Sequence, residues 1–226
     1  MFKKLILLGV CAAPFFFSAQ ETESLPTSAS TSRILLMPSV GYAWRLAKMP
    51  SGISGEARNY LKGLKNGMDI GLGAYYMVKG NAAIGLRASA YFASSEGRLT
   101  VSDGNGSSVS GFVDTTDNIT YIGPAFMFSN FNEDSRHKFF YDISLGVITY
   151  TTKTGNVKGT GSNLGAELNF AYQYEVTKNI YLGPKLGLNG GSLSKMKFNG
   201  TTVNFGDEEK EGLTRLSLSA AATFRF

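Results

Sequence analysis

The sequence predicts an all-β fold, an eight-stranded antiparallel up-and-down β-barrel that crosses a membrane with its strands. Three observations carry this. Apolar side chains recur at every second residue in eight successive runs, the period of a strand with two unlike faces. The connectors between runs alternate between short and long, as in a barrel with short turns on one side of a membrane and long loops on the other. Hydrophobic residues make up only 43% of the chain, which suits strands that show lipid only their alternate side chains.

The chain starts with an export pattern. Lys3 and Lys4 precede an apolar stretch over 5–17, and Ser18-Ala19 offers a small residue before a cut. Residues 1–19 therefore read as a secretory signal peptide, to be set aside before fold reasoning. Cys11 is the single cysteine and lies inside that segment. The mature chain is expected to carry no disulfide and no thiol chemistry. Residues 20–32 are polar, rich in Ser and Thr, and include Pro26, a flexible periplasmic tether in composition. The barrel domain is expected over 33–226.

The first run spans 34–46, with Ile34, Leu36, Pro38, Val40, Tyr42, Trp44 and Leu46 on one face and Ser39, Gly41, Ala43 and Arg45 on the other. The second, 68–78, opposes Ile70, Leu72 and Tyr76 to Asp69, Gly71, Gly73 and Tyr75. In the third, 82–92, Ile84, Leu86 and Phe92 alternate with Gly85, Arg87 and Ser89. The fourth, 118–129, turns Ile122, Pro124, Phe126 and Phe128 outward, while Tyr121 argues for the other register or a bulge. The fifth, 138–151, sets Phe139, Tyr141, Ile143, Leu145 and Val147 against Asp142, Ser144 and Gly146. The sixth, 163–176, sets Leu164, Leu168, Phe170, Tyr172 and Tyr174 against Glu167, Asn169, Gln173 and Glu175. The seventh, 180–188, sets Ile180, Leu182, Pro184, Leu186 and Leu188 against Gly183, Lys185 and Gly187. The eighth, 213–226, ends Thr223-Phe224-Arg225-Phe226, with Leu216, Leu218, Phe224 and Phe226 opposite Arg215, Ser217 and Ser219. It is expected to pair with the first run and close the wall.

Residues 79–81, 177–179 and 130–137 are the short connectors; 47–67, 94–117, 152–162 and 189–212 are the long ones. An even strand count puts both ends of the barrel on the short-turn side. Aromatic residues then fall into two girdles. Tyr76, Phe128, Phe139, Tyr141, Tyr172, Tyr174, Phe224 and Phe226 lie toward the short turns, and Tyr42, Trp44 and Phe92 toward the long loops.

The polar face carries Asp69, Arg87, Asp142, Glu167, Glu175, Lys185 and Arg215. A soluble barrel with its apolar face inside would expose such charges, and one with this face inside would bury them with little apolar filling. Unpaired buried charge costs several kcal/mol or more. A membrane barrel tolerates the same residues if acids and bases pair, so they read as a structural ion network in a narrow lumen. Glycines on this face make room for the long side chains.

The alternating final strand with its terminal Phe, the loop pattern and the girdles together resemble bacterial outer-membrane β-barrels of the OmpA/OmpX type. The resemblance covers about 33–226 and is one of pattern and architecture. It implies the cell outer membrane, with Phe224 and Phe226 in an assembly signal read by the barrel-assembly machinery. Lipopolysaccharide and other outer-membrane lipids are the implied surroundings, and the expected state is a monomer. In the first long loop Lys48, Arg58, Lys62 and Lys65 outnumber Glu56, an arrangement suited to lipopolysaccharide phosphates.

Enzymes exist on this fold, but His137 is the sole histidine and sits in a short connector, away from the leaflet an acyl-modifying site would face. No catalytic, cofactor or metal site is expected. The acid run Asp207-Glu208-Glu209 reads as a solvated loop face. The formal net charge is +5, yet the basic residues form no stripe interleaved with aromatics, so nucleic acid is not an expected partner. The expected role is structural or surface-interacting, with a small porin-like channel as the alternative and a lipid-modifying enzyme third.

Overall fold

A computed structural model describes residues 33–47, 49, 52–102, 108–206 and 210–226. The segment read as a signal peptide, with Cys11, the segment read as a tether, Lys48 and the acid run Asp207-Glu208-Glu209 lie outside the described residues.

Seven strands follow one another around the wall: β1 (Ile34–Arg45), β2 (Asn66–Lys79), β3 (Ala82–Ser102), β4 (Ser108–Ser129), β5 (His137–Thr154), β6 (Val157–Thr177) and β7 (Ile180–Leu193). The closing strand is Arg215–Arg225. Each pairs antiparallel with the next, and the closing strand pairs with both β7 and β1. The ring is shut at its seam by Phe226, whose N–H donates to the Ile34 carbonyl at 2.9 Å and whose carbonyl accepts from the Ile34 N–H at 3.2 Å. Closure leaves no backbone edge to face lipid, the condition for crossing a membrane with strands.

The alternation decides the faces. Ile34, Val40, Val78, Leu86, Ile122, Leu145 and Leu186 are exposed on the outside, while Asp69, Arg87, Asp142, Glu167, Lys185 and Arg215 are each under 4% exposed inside. The eleven girdle residues Tyr42, Trp44, Tyr76, Phe92, Phe128, Phe139, Tyr141, Tyr172, Tyr174, Phe224 and Phe226 all escape burial. Neighbours among them touch: Tyr42 and Trp44 meet edge-on at 5.4 Å, and Phe128 stacks on Tyr141 at 5.2 Å. The fourth strand keeps the register of its outward residues without a bulge. Tyr121 points inward and is 2% exposed, with its hydroxyl 2.7 Å from Ser144 Oγ. A tyrosine on the inner face satisfies its polar tip there and needs no register change.

Three of the long connectors are more ordered than their composition predicts. The segment expected as a loop over 94–117 is mostly strand: β3 and β4 continue paired from Ala93↔Asp117 to Ser102↔Ser108. The 152–162 loop is likewise a tight hairpin, with Thr154↔Val157 the last pair. Both faces of these extensions lie outside the membrane, so the hydrophobic alternation stops although the ladder continues. Ser, Thr and Val still suit a pleated backbone, and cross-strand hydroxyls meet, as at Thr100 Oγ1 and Ser110 Oγ, 2.6 Å apart. The 189–212 connector carries a small hairpin, Lys195–Phe198 with Thr201–Asn204, whose first strand pairs with β6.

The first long connector holds a helix, α1 (Gly55–Leu64). Ser54 caps it, its Oγ accepting from the Ala57 N–H at 3.2 Å, and Glu56 lies in its first turn, both favourable at a helix N-terminus. Tyr60 and Leu64, four residues apart on one face, are buried. The Tyr60 hydroxyl donates to Thr115 Oγ1 at 2.5 Å, and Tyr91 donates to the Leu64 carbonyl at 3.0 Å. The helix is held by inward-facing residues of β3 and β4, over the outer mouth of the barrel.

Candidate functional site

Among the described residues the lumen is where the fold gathers its buried charged side chains, and it is built in three layers. The middle layer is charged. Glu167 is its hub: Oε1 accepts from Arg87 Nε at 2.8 Å and Asn169 Nδ2 at 3.0 Å, while Oε2 accepts from Ser89 Oγ at 2.6 Å and Asn189 Nδ2 at 3.0 Å. Asn169 also donates to Asp142 Oδ1 at 2.9 Å and accepts from Lys185 Nζ at 3.2 Å. Arg215 reaches down from the outer start of the closing strand. Its Nε donates to Asp69 Oδ1 at 3.4 Å and its Nη2 to Ser89 Oγ at 3.0 Å. The layer has three acids, Asp69, Asp142 and Glu167, against three bases, Arg87, Lys185 and Arg215, so it is formally neutral. That balance offsets part of the cost of burying the six charges.

Backbone spacing makes this possible. A Cβ on Gly71 would lie 2.6 Å from Arg87 Nη2 and 2.7 Å from Ser39 Oγ. The glycine is the space into which the guanidinium fits, because neighbouring strands point their side chains into the same narrow bore.

Below the charged layer sits an apolar plug. Phe131, from the 130–137 turn, is 0% exposed and packs with Phe140 and Tyr181, the latter edge-on at 5.1 Å. Leu35, Met37, Tyr75, Met77 and Met127 complete the plug. Its turn is pinned by Lys138 Nζ, which donates to the Glu133 carbonyl at 2.6 Å, and by Arg225 Nη1, which donates to the Phe131 carbonyl at 2.9 Å.

Above the charged layer is a mixed cluster. Tyr91, Ile119, Ile148, Leu193, Met196 and Leu213 pack together. Beside them Arg45 Nη1 donates to Asp117 Oδ2 at 3.1 Å, and its Nη2 donates to Glu211 Oε1 at 2.5 Å and the Gly212 carbonyl at 2.9 Å. The guanidinium also lies 5.2 Å from the centre of the Tyr150 ring.

Six of the seven charges expected in the lumen network form the middle layer. Glu175 does not. It is half-buried at the periplasmic end of β6, where its N–H donates to the Arg136 carbonyl at 2.9 Å. A strand residue near the end of the wall meets the rim rather than the bore, whatever face its parity selects. The Arg45–Asp117 pair was not among the expected charges. Arg45 has the inward parity in the sequence, but Asp117 falls in what reads as a loop. His137 lies on the outer, periplasmic side. Its Nδ1 is 2.7 Å from the Tyr172 hydroxyl and its ring meets Tyr174 edge-on at 5.4 Å, so it belongs to the aromatic girdle. Among the described residues no group of three His, Cys, Asp or Glu is placed to hold a metal ion.

No protein-family model matches the sequence, and no curated protein matches it. Solved structures do. Neisserial surface protein A, from Neisseria, superposes with a TM-score of 0.53 at 15% identity, over 85% of this chain and 97% of that one. A major outer membrane protein of Thermus thermophilus superposes with a TM-score of 0.51 at 12% identity, over 86% of this chain and 98% of that one. The chain has the fold of the outer-membrane β-barrels. At these identities the likeness is one of fold, and this barrel's own lumen and loops must say what it does.

Proposed function

We propose that this outer-membrane β-barrel is a closed, non-conducting platform that anchors structured extracellular elements in the cell envelope. The stacked lumen carries the reading. Arg87 and Ile148 are 1% and 0% exposed in the middle and upper layers, and Phe131 is 0% exposed in the plug. A water-wide pore would leave accessible surface on its lining, and the three layers offer little. The described part of what projects outward is ordered: a long β3–β4 hairpin, a shorter β5–β6 hairpin with a second hairpin paired to it, and a helix bonded to the barrel mouth. Binding elements held by a rigid frame are a common use of such loops.

The test is conductance. The purified barrel, inserted into planar bilayers, is expected to give no discrete steps above the lipid background. Stepwise openings would favour the small-channel alternative and overturn the platform. The terminal strand supports a further part of the proposal, delivery by the barrel-assembly machinery through Phe224 and Phe226. Deleting Phe226 removes the seam bonds to Ile34 and the proposed signal together. The heat-modifiable, folded band of membrane fractions should then fall sharply, and an unchanged folded yield would remove the assembly role.

A further inference from the structure

One strand of the wall outruns its neighbour and keeps a bare edge outside the membrane. β4 pairs with β5 only as far as Thr115↔Thr154, yet it stays paired with β3 up to Ser102↔Ser108. Among the described residues no strand lies on the β5 side of β4 above Thr115. The last bond on that side runs from the Gly155 N–H to the Asp114 carbonyl at 3.2 Å. Every second residue of an antiparallel strand turns its N–H and C=O the same way. Phe112, Ser110 and Ser108 therefore present both backbone groups to the open side. Natural edges are commonly blunted by a lysine, a proline, a bulge or a covering element. Residues 108–113 carry none of these. The other edge of the hairpin is covered: α1 lies against β3 there, with Gly63 on Ser95 and Gly97 on Tyr60.

The open edge stands clear of lipid. Ser110 pairs with Thr100, eight residues past the girdle residue Phe92. At about 3.3 Å per residue and a tilt of about 40°, that is about 20 Å above the outer girdle. The polar region of a leaflet is only about 5–8 Å deep. Val109 is 75% exposed and Phe112 74% exposed, one on each face of the strand. The edge is also complementary to itself. Set antiparallel against a second copy and centred on Ser110, it brings Ser110 opposite its own equivalent. Ser108 then meets the second copy's Phe112, and Val109 meets the second copy's Gly111. Each large side chain faces a small one, and no charged residue enters the pairing. This register uses all three residues whose backbone groups are open. A shift toward Asp114 would call on a carbonyl that Gly155 already occupies.

We propose that the open edge of β4 binds the same edge of a second copy of this chain held in an apposed membrane. The two β3–β4 hairpins then join into one four-stranded antiparallel sheet, an edge-to-edge use of main-chain hydrogen bonds. The contact is two-fold symmetric, with the same surface on both copies. Its axis crosses the strands, so it turns one barrel upside down relative to the other. Copies inserted in one membrane share a direction and cannot meet in this way; copies in facing membranes can. The proposal goes beyond the platform reading, because a conducting barrel would offer the same edge.

The experiment places one full barrel in each lipid nanodisc, so that two barrels meet only when two discs come face to face. Cys11 is the single cysteine and lies outside the barrel, so an introduced thiol reports its own position. Ser110→Cys and Thr100→Cys are compared under mild oxidation. Residues exchanging both bonds across an antiparallel ladder have Cα atoms about 5.5 Å apart, within disulfide reach. Thr100 sits beside Ser110 on β3, one strand farther from the axis in each copy, so its thiols would stand about 14 Å apart by the strand spacing. Ser110→Cys should give at least about tenfold more cross-linked dimer than Thr100→Cys. An equal mixture of Ser108→Cys and Phe112→Cys discs should also cross-link. Adding Ser110→Pro to both should abolish that product, because proline removes the central N–H of an open edge without touching the pairing to β3. Heat-modifiable migration checks folding. If Ser110→Pro fails it, Val109→Lys takes its place, setting an ammonium group from each copy diagonally across the pair. No excess of Ser110→Cys over Thr100→Cys would mark random collision and overturn the assignment. Cross-linking of the mixture that survives Ser110→Pro or its replacement would overturn it as well.

Discussion

Arg87 and Phe131 are both enclosed in the same bore, one in its charged middle layer and one in the apolar plug below it. Arg87 is held by what it is bonded to; Phe131 is held by what it fills. The charged layer joins β2, β3, β5, β6, β7 and the closing strand through Asp69, Arg87, Ser89, Asp142, Glu167, Asn169, Lys185, Asn189 and Arg215. Each bond depends on several others. The plug depends on shape, and its turn is tied down by backbone carbonyls. The difference teaches where the barrel is brittle. Removing one member of a buried ion network strands its partner, whereas removing a packed ring leaves a cavity that neighbours partly fill.

The largest effect should come from Glu167→Leu, which strips acceptors from Arg87, Ser89, Asn169 and Asn189. Urea unfolding in lipid vesicles should show a loss of about 3–5 kcal/mol. Adding Arg87→Met to that variant should restore much of it, because both charges are then gone. If the double variant is as unstable as the single one, the layer is held by packing and the contrast with the plug fails. Phe131→Ala should cost about 3 kcal/mol, at the lower end of the range for such truncations since the turn can settle inward. No second substitution that removes a charge should rescue it, and rescue by Lys138→Met would show that the plug is electrostatic after all. Tyr60→Phe is the mildest. It deletes the bond to Thr115, worth about 1 kcal/mol, and it should loosen α1 without weakening the wall. Faster proteolytic nicking near residues 52–66 with an unchanged urea midpoint is the expected pattern; a shifted midpoint would make the helix part of the barrel's core.

The middle layer was legible to the extent that parity could reveal it. Asp69, Arg87, Asp142, Glu167, Lys185 and Arg215 occupy inward positions in runs whose outward positions are aliphatic. Parity could not say that Glu167 would be the hub, because the choice of partner depends on shear between strands far apart in the chain. Phe131 was hidden for a related reason. It sits in a polar turn, where nothing local indicates that the turn folds back under the bore. The helix left a trace, Ser54 before Glu56 and then Tyr60 and Leu64 four apart, inside a segment whose glycines read as loop. The hairpin extensions of β3 to β6 left less, since outside the membrane neither face needs to be apolar.

Period-two hydrophobicity by itself determined the strands, their inward and outward faces, and hence a wall that belongs in lipid, because each of these is set by side chains at neighbouring positions. Only the tertiary structure decided which inward charges meet, that the bore is filled in three layers, and that α1 is bonded over its outer mouth. Those outcomes depend on closure and register, which bring together residues that no local pattern connects.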